Sequence, residues 1–237
     1  MTAIAGPITT YLEMEDTASA AGVASGRWPW AGVAAGVAAM ASLTVLNAPF
    51  IADEAVFRDG PEAVYAELSG QLLTQLGAAA GYLAAALLVP FGIGLVRTLA
   101  RRAPERIGLV VATALALAAG VATTVGAYAM KSVLASGLPG HMDSAFYTHV
   151  DTAVTYTIAG QLQYAGWLPV VAAAGCVGVL TIRDRALPRW LGVPSLVAAV
   201  LVAAVTVVLN LPWSSGLVAP LWLVATGIAV LRLRARG

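Results

Sequence analysis

Long apolar segments separated by short charged ones set the strongest limit on how this chain can fold. Only 11% of its residues are charged, whereas a soluble domain has about 25%. Segments of about 20 apolar residues can cross a bilayer as helices. Six segments qualify, none with an acidic or basic residue near its centre: 28–52, 72–97, 107–131, 152–182, 190–212 and 215–232. The sequence therefore predicts an all-α polytopic membrane bundle with six transmembrane helices.

Two boundaries follow from the same pattern. We expect residues 1–26 to form a largely disordered cytoplasmic tail, because they lack the basic start and apolar run of a signal peptide. Residues 27–237 then form a single transmembrane domain. The fourth segment, 152–182, is too long for one straight membrane helix, so we expect its first turns to project outward or to tilt.

The positions of the basic residues predict how the bundle faces the membrane. All but two of the 13 Lys and Arg residues fall at span ends on the same side: Arg27, Arg97, Arg101, Arg102, Arg106, Arg183, Arg185, Arg189, Arg232, Arg234 and Arg236. Cytoplasmic loops carry such an excess. We therefore expect a multi-pass protein of the cell inner (plasma) membrane with both termini cytoplasmic. Its composition, rich in Ala, Val, Gly and Arg, is typical of a bacterial protein. The lipid bilayer is the expected partner and nucleic acid is not, because no basic face remains.

A phrase occurs twice in the chain. Residues 44–50 read TVLNAPF and residues 207–213 read VVLNLPW, and GIGLVR at 92–97 is echoed by GIAVLR at 227–232. One interpretation is a set of three parallel helical hairpins that arose by duplication. The other is chance similarity, in a chain that uses few residue types and places arginine at the same end of each span. In both, we expect Asn47 and Asn210 to cap helix ends or to form hydrogen bonds between helices.

Polar residues within the spans predict where a ligand would bind, because such residues usually face protein or water rather than lipid. On a helical wheel they form stripes on the second, third and fourth spans, mostly in the outer half of the membrane. We expect an outward-facing vestibule with these ligand-binding residues: Glu67, Gln71, Gln75, Tyr82, Tyr128, Lys131, Tyr156 and Gln163. Hydrogen bonding between helices without a ligand is the alternative use of the deeper members.

Lys131 is the most informative of these residues, because it is one of two basic residues on the outer side. Either it pairs with Glu67 or Asp151 within the bundle, which costs less than a lone buried charge, or its ammonium group reaches the lipid headgroups from an ordinary helix end.

The outer segment GHMDSAFYTHVDT, residues 140–152, brings His and Asp residues close together in sequence. In a helix, His141 and His149 would lie about 12 Å apart along the axis and could not share one ion, so we expect no metal site. An acid/base pair is the catalytic alternative, with His149, Asp151 and Glu67 as candidate residues. No cofactor motif is present, and none is expected.

The inner-loop phrase RALPRWLGV (185–193) and the terminal helix LWLVATGIAVLRLRAR (221–236) give the chain a resemblance to small six-span bacterial integral-membrane proteins of unassigned biochemical function. The resemblance supports the topology and carries over no catalytic residue. Three functions remain open. The favoured one is binding or transport of a small polar or amphipathic ligand. The others are an intramembrane enzyme acting on a lipid or isoprenoid-like substrate, and a scaffold, immunity or regulatory subunit.

Overall fold

The computed structural model describes residues 26–50, 59–68, 72–134 and 147–235. Within these ranges the chain is helical and contains no β-strand. The α-helices are α1 (Trp28–Leu43), α2 (Pro61–Leu68), α3 (Leu72–Arg102), α4 (Ile107–Val133), α5 (His149–Ala165), α6 (Leu168–Asp184), α7 (Arg189–Leu209) and α8 (Trp213–Arg234). Short 3₁₀ segments, Val45–Phe50 and Pro104–Arg106, follow α1 and precede α4. The predicted tail lies almost wholly outside the described residues.

The six predicted crossings are confirmed as helical segments long and apolar enough to span a membrane. They are Trp28–Asn47, Leu72–Arg102, Pro104–Val133, His149–Asp184, Arg189–Leu209 and Trp213–Arg234. The protein is therefore an all-α, multi-pass membrane protein, as the sequence predicts.

The long fourth crossing is interrupted rather than simply tilted. It consists of α5 and α6, separated at Gly166 and Trp167. Pro169 explains the interruption, because proline has no N–H to donate to the carbonyl of Ala165 four residues earlier and its ring clashes there. Proline is tolerated in the first turn of a new helix, where it lies in α6.

The helices pack around α1, which lies between α3 and α8. On the far side of α3, helix α4 packs against α3, α5 and α6, and α6 in turn packs against α7. In lipid, helices associate mainly through close van der Waals packing, so small residues are favoured at their contacts. Gly94 of α3 shows this, because a Cβ atom there would overlap the ring of Trp28. Helix α7 is the least buried crossing, since only 22% of its most apolar 18-residue stretch is buried.

At one end of the bundle, which we call the arginine end, arginine side chains form hydrogen bonds and an ion pair with neighbouring helix ends. Arg234 donates to the carbonyl of Gly26 (2.6 Å) and Arg102 donates to the carbonyl of Ala186 (3.2 Å). Arg106 forms an ion pair with Asp184 at 3.6 Å. The opposite end, which we call the lysine end, contains Lys131 and the short helix α2, which packs on α5.

Candidate functional site

Lys131 lies within the bundle near the lysine end and is fully buried. Its ammonium nitrogen donates to Asn47 Oδ1 (2.9 Å), Gln163 Oε1 (3.1 Å) and the carbonyl of Ser42 (3.4 Å). These acceptors come from α1, the 3₁₀ segment that follows it, and α5, so Lys131 of α4 ties three parts of the chain together. An ammonium group has three N–H donors, and each has an acceptor here. We call the buried polar cluster around Lys131 the lysine centre; it comprises Ser42, Asn47, Tyr128, Lys131, Gln163, Tyr164 and Trp167.

The end of α1 supplies carbonyl groups to this centre. The last four carbonyls of an α-helix have no partner within the helix. After Leu43 the backbone continues as a 3₁₀ segment. The backbone N–H of Asn47 donates to the carbonyl of Thr44 rather than to that of Leu43. The Leu43 carbonyl then accepts from the Tyr164 hydroxyl (3.3 Å), and the Ser42 carbonyl accepts from Lys131. A cation at a helix C-terminus also interacts favourably with the helix dipole.

Asn47 connects two side chains of the centre. While its Oδ1 atom accepts from Lys131, its Nδ2 atom donates to the Tyr164 hydroxyl at 2.9 Å. Both ends of the amide are therefore used, and Asn47 is buried. The hydrogen-bond network assigns the orientation of this amide, because its oxygen and nitrogen have opposite roles.

Two glycines of α3 allow the centre to pack closely. Ser42 donates to the carbonyl of Gly77 (2.6 Å), and a Cβ atom on Gly77 would come within 3.0 Å of the Lys131 nitrogen. One turn further along, a Cβ atom on Gly81 would overlap the Tyr128 ring. The lysine and the tyrosine thus occupy space that side chains at these two positions would fill.

Three buried donors of the centre have no regular hydrogen-bond partner among the described residues. They are the Gln163 Nε2 amide, the Tyr128 hydroxyl and the Trp167 Nε1 group. All three side chains are fully buried. Ser42 and Trp167 lie beside the Tyr128 hydroxyl, but without regular hydrogen-bond geometry. Because most buried polar groups in proteins are paired, a group of unpaired donors requires an explanation.

The interruption between α5 and α6 borders the centre. Hydroxyl groups of neighbouring helices also bind carbonyls at this interruption: Ser215 donates to the Tyr164 carbonyl (2.8 Å) and Thr123 donates to the Gly166 carbonyl (2.6 Å). Gly216 lies against Tyr164, where a Cβ atom would clash with the ring. Helix α8 thereby helps to hold Tyr164 and the break in place.

The structure brings three predicted ligand-binding residues together in the centre, namely Tyr128, Lys131 and Gln163. Two others lie elsewhere. Tyr156 is buried in a separate apolar cluster with Val64, Leu134 and Ala159. Tyr82 is partly exposed, and its hydroxyl lies 3.3 Å from Ser132 Oγ.

The remaining candidate residues are exposed or have side chains outside the described part of the structure. Gln75 is exposed on α3. The side chains of Glu67 and Gln71 lie outside the described part of the structure. Asp151 is exposed and accepts from the Thr148 amide (2.8 Å) and hydroxyl (2.7 Å), which forms a capping box at the start of α5. His149 is exposed and stacks on Tyr65, with ring centroids 4.6 Å apart.

The residues considered for metal or acid/base chemistry have separate partners where the structure describes them. No group of three potential metal ligands occurs among them, and His141 and Asp143 lie outside the described ranges. His149 and Asp151 are engaged separately, with Tyr65 and Thr148. The described geometry therefore does not pair the imidazole with this carboxylate.

The repeated phrase is used differently in its two copies, and both expected uses occur. Asn47 forms hydrogen bonds between helices, whereas Asn210 caps the C-terminus of α7 in the left-handed conformation (φ 52°). A helical wheel does not predict that Ser42, Tyr164 and Trp167 belong to the centre, because their roles depend on where α1 and α5 end. Pro169 is the sequence signal for one of these ends, because it predicts that the helix is interrupted after Ala165.

No match was found among curated proteins or among solved structures. The family comparison does give a match, to the family described as "Domain of unknown function (DUF4386)", over residues 31–233. This range takes in the lysine centre and all of the six crossings except the first three residues of the first and the last residue of the sixth. It agrees with the resemblance seen in the sequence. The chain therefore belongs to the DUF4386 family of unknown function.

Proposed function

We propose that this membrane protein binds a small anionic or amphipathic ligand whose oxygen-rich head, such as a carboxylate or phosphate, enters the lysine centre. The observation that carries the proposal is the set of buried donors of the lysine centre that lack a regular partner among the described residues: Gln163 Nε2, Tyr128 Oη and Trp167 Nε1. Leaving a buried donor unpaired costs about 1–3 kcal/mol. An occupant that supplies acceptors would remove this cost at several positions at once.

The chemistry of the centre favours an acceptor over a donor as its occupant. The amide and indole N–H groups without a regular partner can only donate, and a tyrosine hydroxyl can do so. Lys131 adds positive charge, which strengthens hydrogen bonds to an anion. A cationic ligand would meet Lys131 at close range, and a purely apolar ligand would leave the donors unpaired. Both ligand classes are therefore disfavoured.

Transport is the second candidate function, and the helix interruptions favour it. Membrane transporters commonly place substrate sites at discontinuous helices, where backbone groups are free to bind. Both the end of α1 and the break between α5 and α6 border the lysine centre, and backbone carbonyls at both places accept hydrogen bonds from the side chains of Lys131, Tyr164, Ser215 and Thr123. Small changes at either interruption would alter the contacts of Lys131.

We also propose that the arginine end faces the cytoplasm of a bacterial cell, with both termini there. The support is the excess of arginine at this end. The lysine centre then lies in the outer half of the membrane, so its ligand would arrive from outside the cell or from the outer leaflet.

Mass spectrometry of molecules that co-purify with the protein in nanodiscs tests the binding proposal. The wild type is compared with Lys131→Met and Gln163→Leu, which remove donors from the centre. Thr157→Val is the matched control, because the Thr157 hydroxyl donates only within α5, to the Ala153 carbonyl (3.0 Å), on an exposed face.

We expect an anionic or amphipathic species that is enriched on the wild type and on Thr157→Val and reduced on both centre variants. Retention of the same species by both variants, provided that they fold, would overturn the proposed site. If only bulk lipid is found on every preparation, the centre is a structural polar core. The scaffold interpretation then becomes the stronger one.

A further inference from the structure

A second feature lies between α3 and α4, apart from the lysine centre. A cavity of about 450 Å³ runs along these two helices. Its lining residues are aliphatic or glycine except at one end, where Arg97 takes part. The rim residues Val89 and Ile93 are 45% and 51% exposed, whereas Leu88 and Leu117 form a buried floor. The cavity is therefore a groove on the lipid-facing surface of the bundle.

Small residues create this groove. Gly92 of α3 faces Leu117 of α4, and a Cβ atom on Gly92 would lie 3.5 Å from the Leu117 side chain. Ala114 and Ala118 complete the α4 wall. A long side chain at one of these positions would occupy the space, so the groove depends on their small size.

The length of the groove fits one leaflet of a bilayer. The α3 residues that line it extend from Leu88 to Arg97, which corresponds to about 14 Å along a helix at 1.5 Å per residue. The hydrocarbon core of a membrane is about 30 Å thick. Since Arg97 lies toward the arginine end, the groove extends from the middle of the membrane to the surface on that side.

We propose that this groove holds one acyl chain of an anionic phospholipid, with the lipid phosphate at Arg97. Two observations on the groove carry the assignment: an aliphatic channel of one-leaflet length, and a guanidinium group at its interfacial end. Arg101, one turn beyond Arg97, is also exposed and adds positive charge for the headgroup. Arginine is well suited to bind phosphate, because its guanidinium group can donate two parallel hydrogen bonds.

Native mass spectrometry from nanodiscs that contain equal amounts of phosphatidylglycerol and phosphatidylcholine tests this inference. Arg97→Gln removes the charge at the groove, and Arg183→Gln is its control, because Arg183 is exposed near the arginine end and does not line the groove. Ala118→Trp fills the groove, and Ala119→Trp is its control, since Ala119 is exposed, does not line the groove and points away from it on the same helix. Ala118→Leu is a smaller replacement in case the tryptophan variant does not fold.

We expect the wild type, Arg183→Gln and Ala119→Trp to retain phosphatidylglycerol in preference to phosphatidylcholine. Arg97→Gln should lower that preference about fivefold, as expected for one basic residue near a charged headgroup. Ala118→Trp or Ala118→Leu should reduce retention of both lipids. Equal preference in Arg97→Gln and wild type would overturn the assignment, and so would full retention when the groove is filled.

Inorganic phosphate added in excess should not displace the lipid, because a free ion does not occupy the apolar channel; displacement would contradict the lipid assignment.

The inference does not rest on the lysine centre. Lys131→Met should retain phosphatidylglycerol as well as the wild type does, whatever becomes of the ligand of the centre. Failure of either proposal is therefore visible separately.

Discussion

The Lys131 ammonium nitrogen lies 2.9 Å from Asn47 Oδ1, and this contact joins the lysine end of α4 to the segment that follows α1. The contact links residues 84 positions apart in the chain. It also gives the buried ammonium group an amide oxygen as a close partner. The nitrogen of the same amide donates to the Tyr164 hydroxyl. Hydrogen bonds to charged groups contribute about 1.5–3 kcal/mol, more than neutral ones. The pair is therefore central both to the stability of the lysine end and to the proposed site.

Replacing Lys131 with Met should destabilise the protein. Methionine has a similar length but no donor, so Asn47 Oδ1 and Gln163 Oε1 would each lose a buried partner. The cost is about 1–3 kcal/mol for each buried group left unpaired. Thermal unfolding in detergent micelles, followed by circular dichroism, should show a lower midpoint than the wild type.

Arg183→Gln serves as the control for loss of a positive charge, because Arg183 is exposed. Exposed substitutions usually change stability by no more than about 0.5 kcal/mol. If Lys131→Met unfolds at the same temperature as Arg183→Gln, the hydrogen bonds of Lys131 do not stabilise the fold.

The two copies of the repeated phrase should respond in opposite ways to one substitution. Asn210 adopts φ 52°, a conformation that glycine accepts without strain, so Asn210→Gly should keep or raise the stability. Asn47→Gly removes an acceptor from Lys131 and a donor to Tyr164, and should cost about 1–3 kcal/mol. The unfolding midpoints of the two variants are compared under identical conditions.

A third variant, Asn210→Ala, checks the conformational part of this prediction. Alanine in the left-handed region costs roughly 1–2 kcal/mol, so this variant should unfold below Asn210→Gly. Equal stability of Asn47→Gly and Asn210→Gly would contradict the different roles of the two asparagines.

The sequence predicts the crossings well and the contacts between them poorly. Apolar length alone identifies the six spans, because a bilayer requires each span to satisfy its own backbone. A helical wheel places Lys131 and Tyr128 on one face of α4, as observed. It does not fix the rotation of α4 relative to α1 and α5, so Asn47 and Gln163 could not be singled out as the partners of Lys131. The predicted counter-charge Asp151 caps its own helix instead.

Gly81→Ala should disturb the packing of α3 on α4. A Cβ atom at this position would overlap the Tyr128 ring, which is fully buried and cannot move into solvent. Overpacking of this kind costs about 1–3 kcal/mol. The expected result is a lower unfolding midpoint, measured as for the variants above.

Gly126→Ala is the matched control in the same membrane region. No atom lies within 4 Å of a Cβ atom at Gly126, and alanine is favoured over glycine in a helix by about 1 kcal/mol. This variant should be at least as stable as the wild type. Combining Gly81→Ala with Tyr128→Leu should restore part of the lost stability, and failure to do so would indicate a different origin for the effect.

Thr148 and Asp151 should behave as one unit at the start of α5. The side chain of each residue accepts a hydrogen bond from the backbone amide of the other, so Thr148→Val and Asp151→Ala should each lower the stability of the protein. Because they lose the same cap, the double variant should cost clearly less than the sum of the single ones. A double-mutant cycle of unfolding free energies measures this coupling.

Asp151→Ala should also leave binding at the lysine centre unchanged, since its carboxylate is engaged at the exposed cap. Additive costs in the cycle, or loss of the co-purifying ligand in Asp151→Ala, would instead connect Asp151 to the function of the centre.

The proposed orientation predicts which helix ends a membrane-impermeant maleimide reaches in intact cells. Cys176 is the only cysteine of the chain, so Cys176→Ser gives a background free of thiols. Glu105→Cys places a thiol at the exposed turn of the arginine end, and Glu62→Cys places one on the exposed face of α2 at the lysine end. We expect Glu62→Cys to be labelled in intact cells and Glu105→Cys only after permeabilisation, because arginine-rich loops stay in the cytoplasm. The reverse pattern would place the lysine centre in the cytoplasmic half of the membrane, and its ligand would then have to come from inside the cell.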